Sequence, residues 1–322
     1  MRLALALLFV AAFSGLCQSQ DVKVREESIR LMERAHAVSS SPALPNLERI
    51  DTFRAFADDS PAQEGSFTRV MIQGIGRRDE YNFGSFHLLN VWTEKQVAVA
   101  GKAAIVPPEL VTLSRITPIL LVRFDGEDVI HSITSREVNG VAARCMDFDT
   151  IRGQKFDNNQ LCVDVVRGTL LQEKLGPELI EYSEFFQFAG ALMPGKIRYS
   201  FGGVEKLEIT QTMTPLNEIT DNVLAAPPDA TMHRICTTFR RPFGVSMPQP
   251  KSGNGGSDTE IIVRGMVGVN GKVYEPVVQS SERPDLNAEA LTQVQQWTFT
   301  PAMCNGQPDA HEVAVTLHFQ GR

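Results

Sequence analysis

From Thr259 to Phe319 the order of apolar and polar residues changes period along the chain, and each change marks a new element. Ile261 to Val269 is largely apolar and β-branched, and Lys272 to Ser280 returns in kind after Asn270-Gly271, a dipeptide suited to a tight turn. This predicts a hairpin. Asp285 to Trp297 then spaces Ala290, Leu291, Val294 and Trp297 three and four residues apart, which makes one apolar stripe of a helix with Asn287 placed as its cap. Phe299, Pro301 and Ala302 stop that helix. After Asn305-Gly306 the stretch His311 to Gln320 alternates Val313, Val315, Leu317 and Phe319 against polar neighbours, the period-two pattern of a half-buried strand. The predicted order is β-β-α-β.

Upstream the periodicities are shorter. Val24 to Ala37 sets Ile29, Met32 and His36 along one side and predicts an amphipathic helix that ends at Ser39 to Ser41. From Thr52 to about Met213, β-prone stretches alternate with turn residues: Phe67–Gln73, Phe86–Trp92, Gln96–Ala100, Ile119–Phe124, Val129–Val138 and Val141–Asp149. Leu161–Val166, Thr169–Glu173, Leu179–Phe188, Lys196–Phe201 and Glu205–Thr212 follow in the same style. Asn139-Gly140 is a two-residue hairpin signal. A helix over Pro108 to Ile116 interrupts the series, with Pro107-Pro108 at its start and Pro118 past its end. The pattern predicts a meandering, mostly antiparallel sheet. Pro227-Pro228 closes it, and Met247 to Asp258 has the Pro, Gly and Ser content of a linker or long loop. The expected division is a leader over 1–19, a β domain over 20–230, a linker or extended segment over 231–258 and a terminal domain over 259–322, in an α+β chain.

Arg2, the apolar run Leu3 to Phe13, then Ser14, Gly15 and a polar stretch make a secretory signal peptide, with cleavage after Ser19. A membrane anchor is the rival, but a span takes about 20 apolar residues and this run is shorter. Cys17 opens a lipoprotein alternative, although Leu16 stands where a small residue is wanted. The expected location is periplasmic or secreted, with a mature chain that does not span a membrane. At 322 residues with 43% hydrophobic and 21% charged positions, two globular domains are the default. The formal charge of −7 argues against a nucleic-acid partner, and no Lys/Arg block longer than a pair such as Arg240-Arg241 stands out. Cys145, Cys162, Cys236 and Cys304 remain after the leader, an even number in an oxidising compartment. Closeness along the chain selects Cys145–Cys162 and Cys236–Cys304 from the three connectivities; buried free thiols are the alternative. No CxxC or HxxxH spacing points to zinc or another metal.

Residues spaced through the last part of the chain carry a family resemblance. Gly265-x-Val267, Asn270-Gly271-Lys272-Val273, Val278-x-Ser280-Ser281, Pro284-x-Leu286-Asn287, Ala290-Leu291 and Val294 come first. Trp297-x-Phe299-x-Pro301-Ala302, Asn305-Gly306-Gln307-Pro308 and Val313-x-Val315-x-Leu317-x-Phe319 complete the set. Together they resemble the TonB C-terminal domain family. The resemblance implies a periplasmic domain that pairs an extended peptide or another envelope component with the edge of its last strand. Here that edge is Val313, Ala314, Val315, Thr316, Leu317, His318 and Phe319. Energy-transducing members carry an uncleaved membrane helix and a long Pro-rich spacer; the short apolar run and brief Pro/Gly segment here favour a binding or scaffold role.

Tyr81-x-Phe83, Pro107 to Leu113, Cys145 with Cys162-x-Asp164, Thr169-Leu170-Leu171, Tyr182 to Phe188 and Met193-Pro194-x-Lys196-Ile197 make the first domain similar to the LolA-like lipoprotein-carrier fold. That resemblance implies a curved antiparallel half-barrel with covering helices, and a groove for a lipid, a lipoprotein acyl chain or a hydrophobic peptide. Phe83, Phe86, Leu88, Trp92, Leu120, Val122, Phe185 and Phe188 are the groove candidates; ordinary core positions are the alternative for each.

Catalytic patterns are not apparent in the residues. The six histidines lie far apart in the sequence, Asp147, Asp149 and Asp157 lack a calcium-loop spacing, and there is no GxSxG elbow. Gly74-x-Gly76 and Gly253 to Gly256 lack the context of a phosphate loop. The expectation is a non-enzymatic envelope binding protein without a cofactor. A component of TonB-dependent transport is the alternative, and a secreted hydrolase with a dispersed site is the second alternative.

Overall fold

The computed structural model describes residues 22–319 apart from 42–43, 58–59, 95, 102–105, 118–127, 151–155, 221, 251–258 and 282. The leader, Cys17, the strand expected over Ile119–Phe124 with Leu120 and Val122, and most of the Pro/Gly segment lie outside the described residues. In chain order the elements begin with helix α1 (22–39) and strands β1 (Leu47–Ala57), β2 (Ser60–Ile72), β3 (Gly76–Phe83), β4 (Phe86–Thr93) and β5 (Gln96–Gly101). Helix α2 (Pro108–Ile116) precedes β6 (Val129–Val138), β7 (Val141–Thr150), β8 (Phe156–Asp164), β9 (Leu170–Leu175) and β10 (Glu178–Ser183). Short strands β11 (Phe186–Phe188) and β12 (Ala191–Met193) come before β13 (Lys196–Phe201) and β14 (Val204–Pro215). Next are β15 (Thr231–Arg234), β16 (Phe239–Arg240), β17 (Phe243–Ser246), β18 (Thr259–Val267) and β19 (Val273–Ser281). Helix α3 (Asn287–Gln295), β20 (Thr298–Thr300), β21 (Ala302–Cys304), β22 (Gln307–Asp309) and β23 (His311–Phe319) complete the series. Among the described residues no helix is long and apolar enough to cross a membrane.

Two compact units emerge: the described residues of Met1–Gly74 with Leu113–Thr220, and those of Ile75–Thr112 with Asp221–Arg322. In the first, neighbouring strands run β2-β1-β14-β13-β10-β9-β8-β7-β6. The Asn139-Gly140 turn joins β6 to β7 with both residues at positive φ, 50° and 79°, as a primed two-residue hairpin requires. Cys145 faces Cys162 directly across β7 and β8. Helix α1 docks on the same unit through Glu27, which pairs with Arg144, and through Arg34, which donates to the Val165 and Val166 carbonyls at 3.0 and 2.7 Å. Its buried row is Ser28, Met32 and Ala35. Ile29 and His36, expected on that side, are exposed; the small Ser28 and Ala35 side chains let the helix approach more closely than Ile29 would.

Strand β1 was not foreseen. Its inward row is Leu47, Arg49, Asp51, Phe53 and Ala55, so two charges stand where the alternation should be apolar. They are tolerable because they neutralise one another: Arg49 Nε donates to both Asp51 carboxylate oxygens at 3.0 and 3.1 Å, and the guanidinium lies 5.6 Å from the Phe67 ring centre. With its amide turned to suit both groups, the Gln211 side-chain oxygen also accepts from Arg49. Both ionised side chains are almost fully buried, at 3% and 0% exposure.

In the second unit, β15-β5-β4-β3 form one antiparallel set, with Leu89, Val91, Ala98 and Ala100 buried under Leu224 and Ala230. The C-terminal domain packs α3 against the sheet β19-β18-β23, around Ile261, Val263, Val294, Trp297, Leu317 and Phe319. Asn287 does not cap the helix as expected. A 3-10 turn over Pro284–Leu286 comes first, and Asn287 already has helical angles (φ −59°, ψ −42°), so its side chain cannot reach back to the first turn. Gly271 is required twice over: its φ is +72°, and a Cβ there would lie 2.0 Å from the Phe299 carbonyl oxygen. That approach lets the Phe299 N–H donate to the Gly271 carbonyl at 2.9 Å.

Removing one member of a buried ion pair strands the other, at a cost of about 3 to 5 kcal/mol. Asp51→Ala is expected to lower the urea midpoint of unfolding accordingly, and the Arg49→Met/Asp51→Leu double variant to recover most of the loss. A second expectation concerns pH. Burial pushes the Glu173 carboxyl from its ordinary 4.5 up to about 7, with the Tyr182 hydroxyl and Arg115 only partly opposing it. The unfolded carboxyl ionises first, so stability falls as pH rises from 4.5 to about 7 and levels off above. Unfolding followed across that window should slope for the wild type and much less for Glu173→Gln.

Candidate functional site

Strand β23 owes its position to its alternation. Leu317 and Phe319 are buried in the domain core and Val313 and Val315 pack against it, whereas Ala314 and His318 are exposed. It pairs antiparallel with β18 from Thr259↔Phe319 to Val267↔His311 and ends the order β19-β18-β23. Its other side meets no strand among the described residues.

One hydrogen bond orients that free side. The His318 N–H donates to Gln249 Oε1 at 3.3 Å, so it points away from β18. Successive residues of an antiparallel strand aim their backbone groups to opposite sides. By this alternation Glu312, Ala314 and Thr316 also aim their N–H and C=O groups outward, and Val313, Val315 and Leu317 aim theirs at β18. Two ion pairs lie on the sheet face away from the core: Arg264 pairs with Glu312, whose carboxyl is raised by burial despite the pull of the guanidinium, and His318 Nδ1 lies 3.2 Å from Glu260.

Gln249 is brought to the edge by an arm that the sequence did not reveal in detail. Residues 231–250, expected as a linker or extended segment, are extended and fastened within the second unit. Strand β15 pairs with β5, β16 with β21 and β17 with β20. Cys236 is joined to Cys304 with Cα atoms 5.1 Å apart. The Asn305 side chain accepts from the N–H groups of Thr237 and Thr238 at 2.9 and 3.0 Å and donates to the Ile235 carbonyl. At the far end the Pro248 carbonyl accepts from Trp297 Nε1 at 3.0 Å and Gln293 Nε2 at 2.8 Å. The cysteine pair and the Asn305-Gly306 turn were the only sequence signals of this arrangement; Pro248 and Gln249 offered none.

The groove candidates separate into two sets. Phe83 stands opposite Phe86, and Leu88 and Trp92 follow Phe86 by even steps, so these four share one face of β3 and β4. Phe83 and Leu88 are buried, and Arg77 lies over the Trp92 ring at 4.8 Å. Phe185 and Phe188 belong to the first unit. Phe185 packs over the Cys145–Cys162 disulfide with Val138, Ala143 and Leu171, and Phe188 is buried at the β11–β12 hairpin.

The histidines make local contacts: His87 with Glu80 at 3.3 Å, His131 with Asp149 at 2.8 Å and His36 with Ser40. Cys236, Cys304 and Asp309 hold ligand atoms within 4.8 Å of one another, but both sulfurs are consumed in the disulfide and the trio offers one carboxylate.

Residues 254–320 match the family described as Gram-negative bacterial TonB protein C-terminal, in line with the resemblance carried by Gly265 to Phe319. No curated protein matches the chain. Similar solved structures include a LolA superfamily protein from Nitrosomonas europaea, at 12% identity and a TM-score of 0.37, which covers 61% of this chain and 96% of that one. A DUF1329 family protein from Desulfovibrio piger is similar at 9% identity and a TM-score of 0.42, with 62% and 96% covered. The MucA/MucB complex of Pseudomonas aeruginosa is similar at 10% identity and a TM-score of 0.26, with 75% and 80% covered. These scores are too low to transfer a function.

Both expected disulfides are formed, Cys145–Cys162 and Cys236–Cys304. Peptide mapping without reductant is expected to recover these two linked pairs; a peptide joining Cys145 to Cys236 would contradict the fold of both units.

Proposed function

We propose that this protein is an exported, non-enzymatic binding module of the cell envelope that takes up an extended segment of a partner by strand addition along β23. The observation that carries the reading is the outward His318 N–H, with Glu312, Ala314 and Thr316 in phase with it. An edge of this kind offers a row of backbone donors and acceptors that another extended chain can complete. Core exposure favours the same side: Ile261 and Val263 on β18 and Leu317 on β23 are fully buried, whereas Val313 and Val315 on β23 stay only partly covered. An incoming strand with apolar residues at alternate positions covers those two valines, at roughly 25 cal/mol for each Å² removed from water. The family match of residues 254–320 supports an envelope setting, as does the signal-like pattern of Arg2 and Leu3 to Phe13.

Proline placement tests the reading. Ala314→Pro deletes an outward donor without touching the β18 ladder, because proline is tolerated where the missing N–H faces away from the sheet. Full-length protein is used to capture partners from envelope extracts, with the emission of Trp92 and Trp297 together as the check on folding. Capture should fall at least tenfold in Ala314→Pro and persist in Gln249→Ala, which frees the His318 donor. Equal capture by wild type and a folded Ala314→Pro variant would sink the proposal.

A further inference from the structure

The arm that delivers Gln249 also carries side chains that neither its own packing nor strand addition uses. It is fastened at its root by Cys236–Cys304 and the Asn305 amide, and at its far end through the Pro248 carbonyl. Between these ties Phe243 and Val245 expose 74% and 66% of their surface. Arg240 and Arg241 beside them are exposed and join no ion pair among the described residues. Single exposed apolar residues are ordinary. Here two large ones stand next to two unpaired cations on backbone held at both ends, so neither flexibility nor local salt bridges account for them.

The two chemistries together narrow the partner. A guanidinium bonds phosphate oxygens in pairs, and an exposed phenyl ring and isopropyl group gain by leaving water. An acidic protein surface without an apolar patch would answer the arginines alone. The boundary between headgroups and acyl chains of an anionic bilayer answers both. The chain as a whole carries −7, so attraction to such a surface has to come from this local pair and not from the overall field. We propose that the arm docks on anionic lipid, with Phe243 and Val245 entering the headgroup boundary while Arg240 and Arg241 bond lipid phosphates. The C-terminal domain, and with it β23, would then be held at a membrane surface by a contact separate from the partner edge.

Flotation of the full chain with lipid vesicles tests this. Wild-type protein should float with vesicles of phosphatidylglycerol and phosphatidylcholine in equal parts, should not float with phosphatidylcholine alone, and should lose binding as salt is raised. Arg240→Gln and Arg241→Gln should each weaken partitioning about fivefold, and Phe243→Ser with Val245→Ser should abolish flotation at the same protein concentration. These positions are exposed, and intact Cys236–Cys304 linkage in each variant confirms the arm. Failure of folded wild-type protein to bind anionic vesicles overturns the proposal, as does equal flotation of the variants. A concentration-dependent dimer in sedimentation that Phe243→Ser with Val245→Ser abolishes would also overturn it, assigning the patch to a second copy of the chain. None of these readouts involves Ala314, so failure here is distinct from failure of strand addition.

Discussion

The indole of Trp297 ties the C-terminal domain together. It is almost fully buried among the side chains of α3 and the sheet, and its ring N–H holds the Pro248 carbonyl. A buried tryptophan removes about 150 to 250 Å² from water, on the order of 4 to 6 kcal/mol of gross stabilisation at the usual coefficient. The same ring thereby fixes the residue next to Gln249, whose amide meets the backbone of His318. Core packing, the course of the arm and the orientation of the edge strand are links of one chain of contacts. A cavity at Trp297 would loosen all three together.

The two disulfides constrain the chain in different ways. Cys145–Cys162 closes a separation of 17 residues across neighbouring strands, where register already holds the two together. Cys236–Cys304 closes 68 residues and fastens an arm whose strands are too short to hold themselves. Loop-closure reasoning puts the gain at about 3 kcal/mol for the short loop and about 4 kcal/mol for the long one. The longer link also keeps the arm in place while its outer side chains stay in contact with solvent. Conditions that keep Cys236–Cys304 oxidised are thus a requirement for the arm.

Legibility in the sequence followed the cleanliness of the local pattern. Val313, Val315, Leu317 and Phe319 alternate without interruption, and β23 lies where they place it. Asn139-Gly140 and Asn305-Gly306 are turns with positive φ at both residues, as dipeptides with that preference require. β1 was hidden because Arg49 and Asp51 occupy its inward row, and only the fold brings Gln211 and the Phe67 ring alongside them. α1 was found but rotated, since Ser28 and Ala35 are not hydrophobic enough to announce a buried face. Of the candidate site, the edge strand and both cysteine pairs were readable. The outward phase of Ala314 and Thr316 was not, because a strand's side-chain alternation does not say which neighbour its backbone faces; that required Gln249, which comes to His318 through a tertiary contact with Trp297.

The central claim is that β23 pairs with β18 and with no other strand among the described residues, with Glu312, Ala314, Thr316 and His318 in phase on the open side. Residue-resolved amide hydrogen exchange of the free protein tests it most directly. The account predicts rapid exchange at Ala314 and Thr316 and slow exchange at Val313, Val315 and Leu317, an alternation along one strand. Uniform protection of all five amides would contradict it, because it would mean that the outer edge of β23 is already paired.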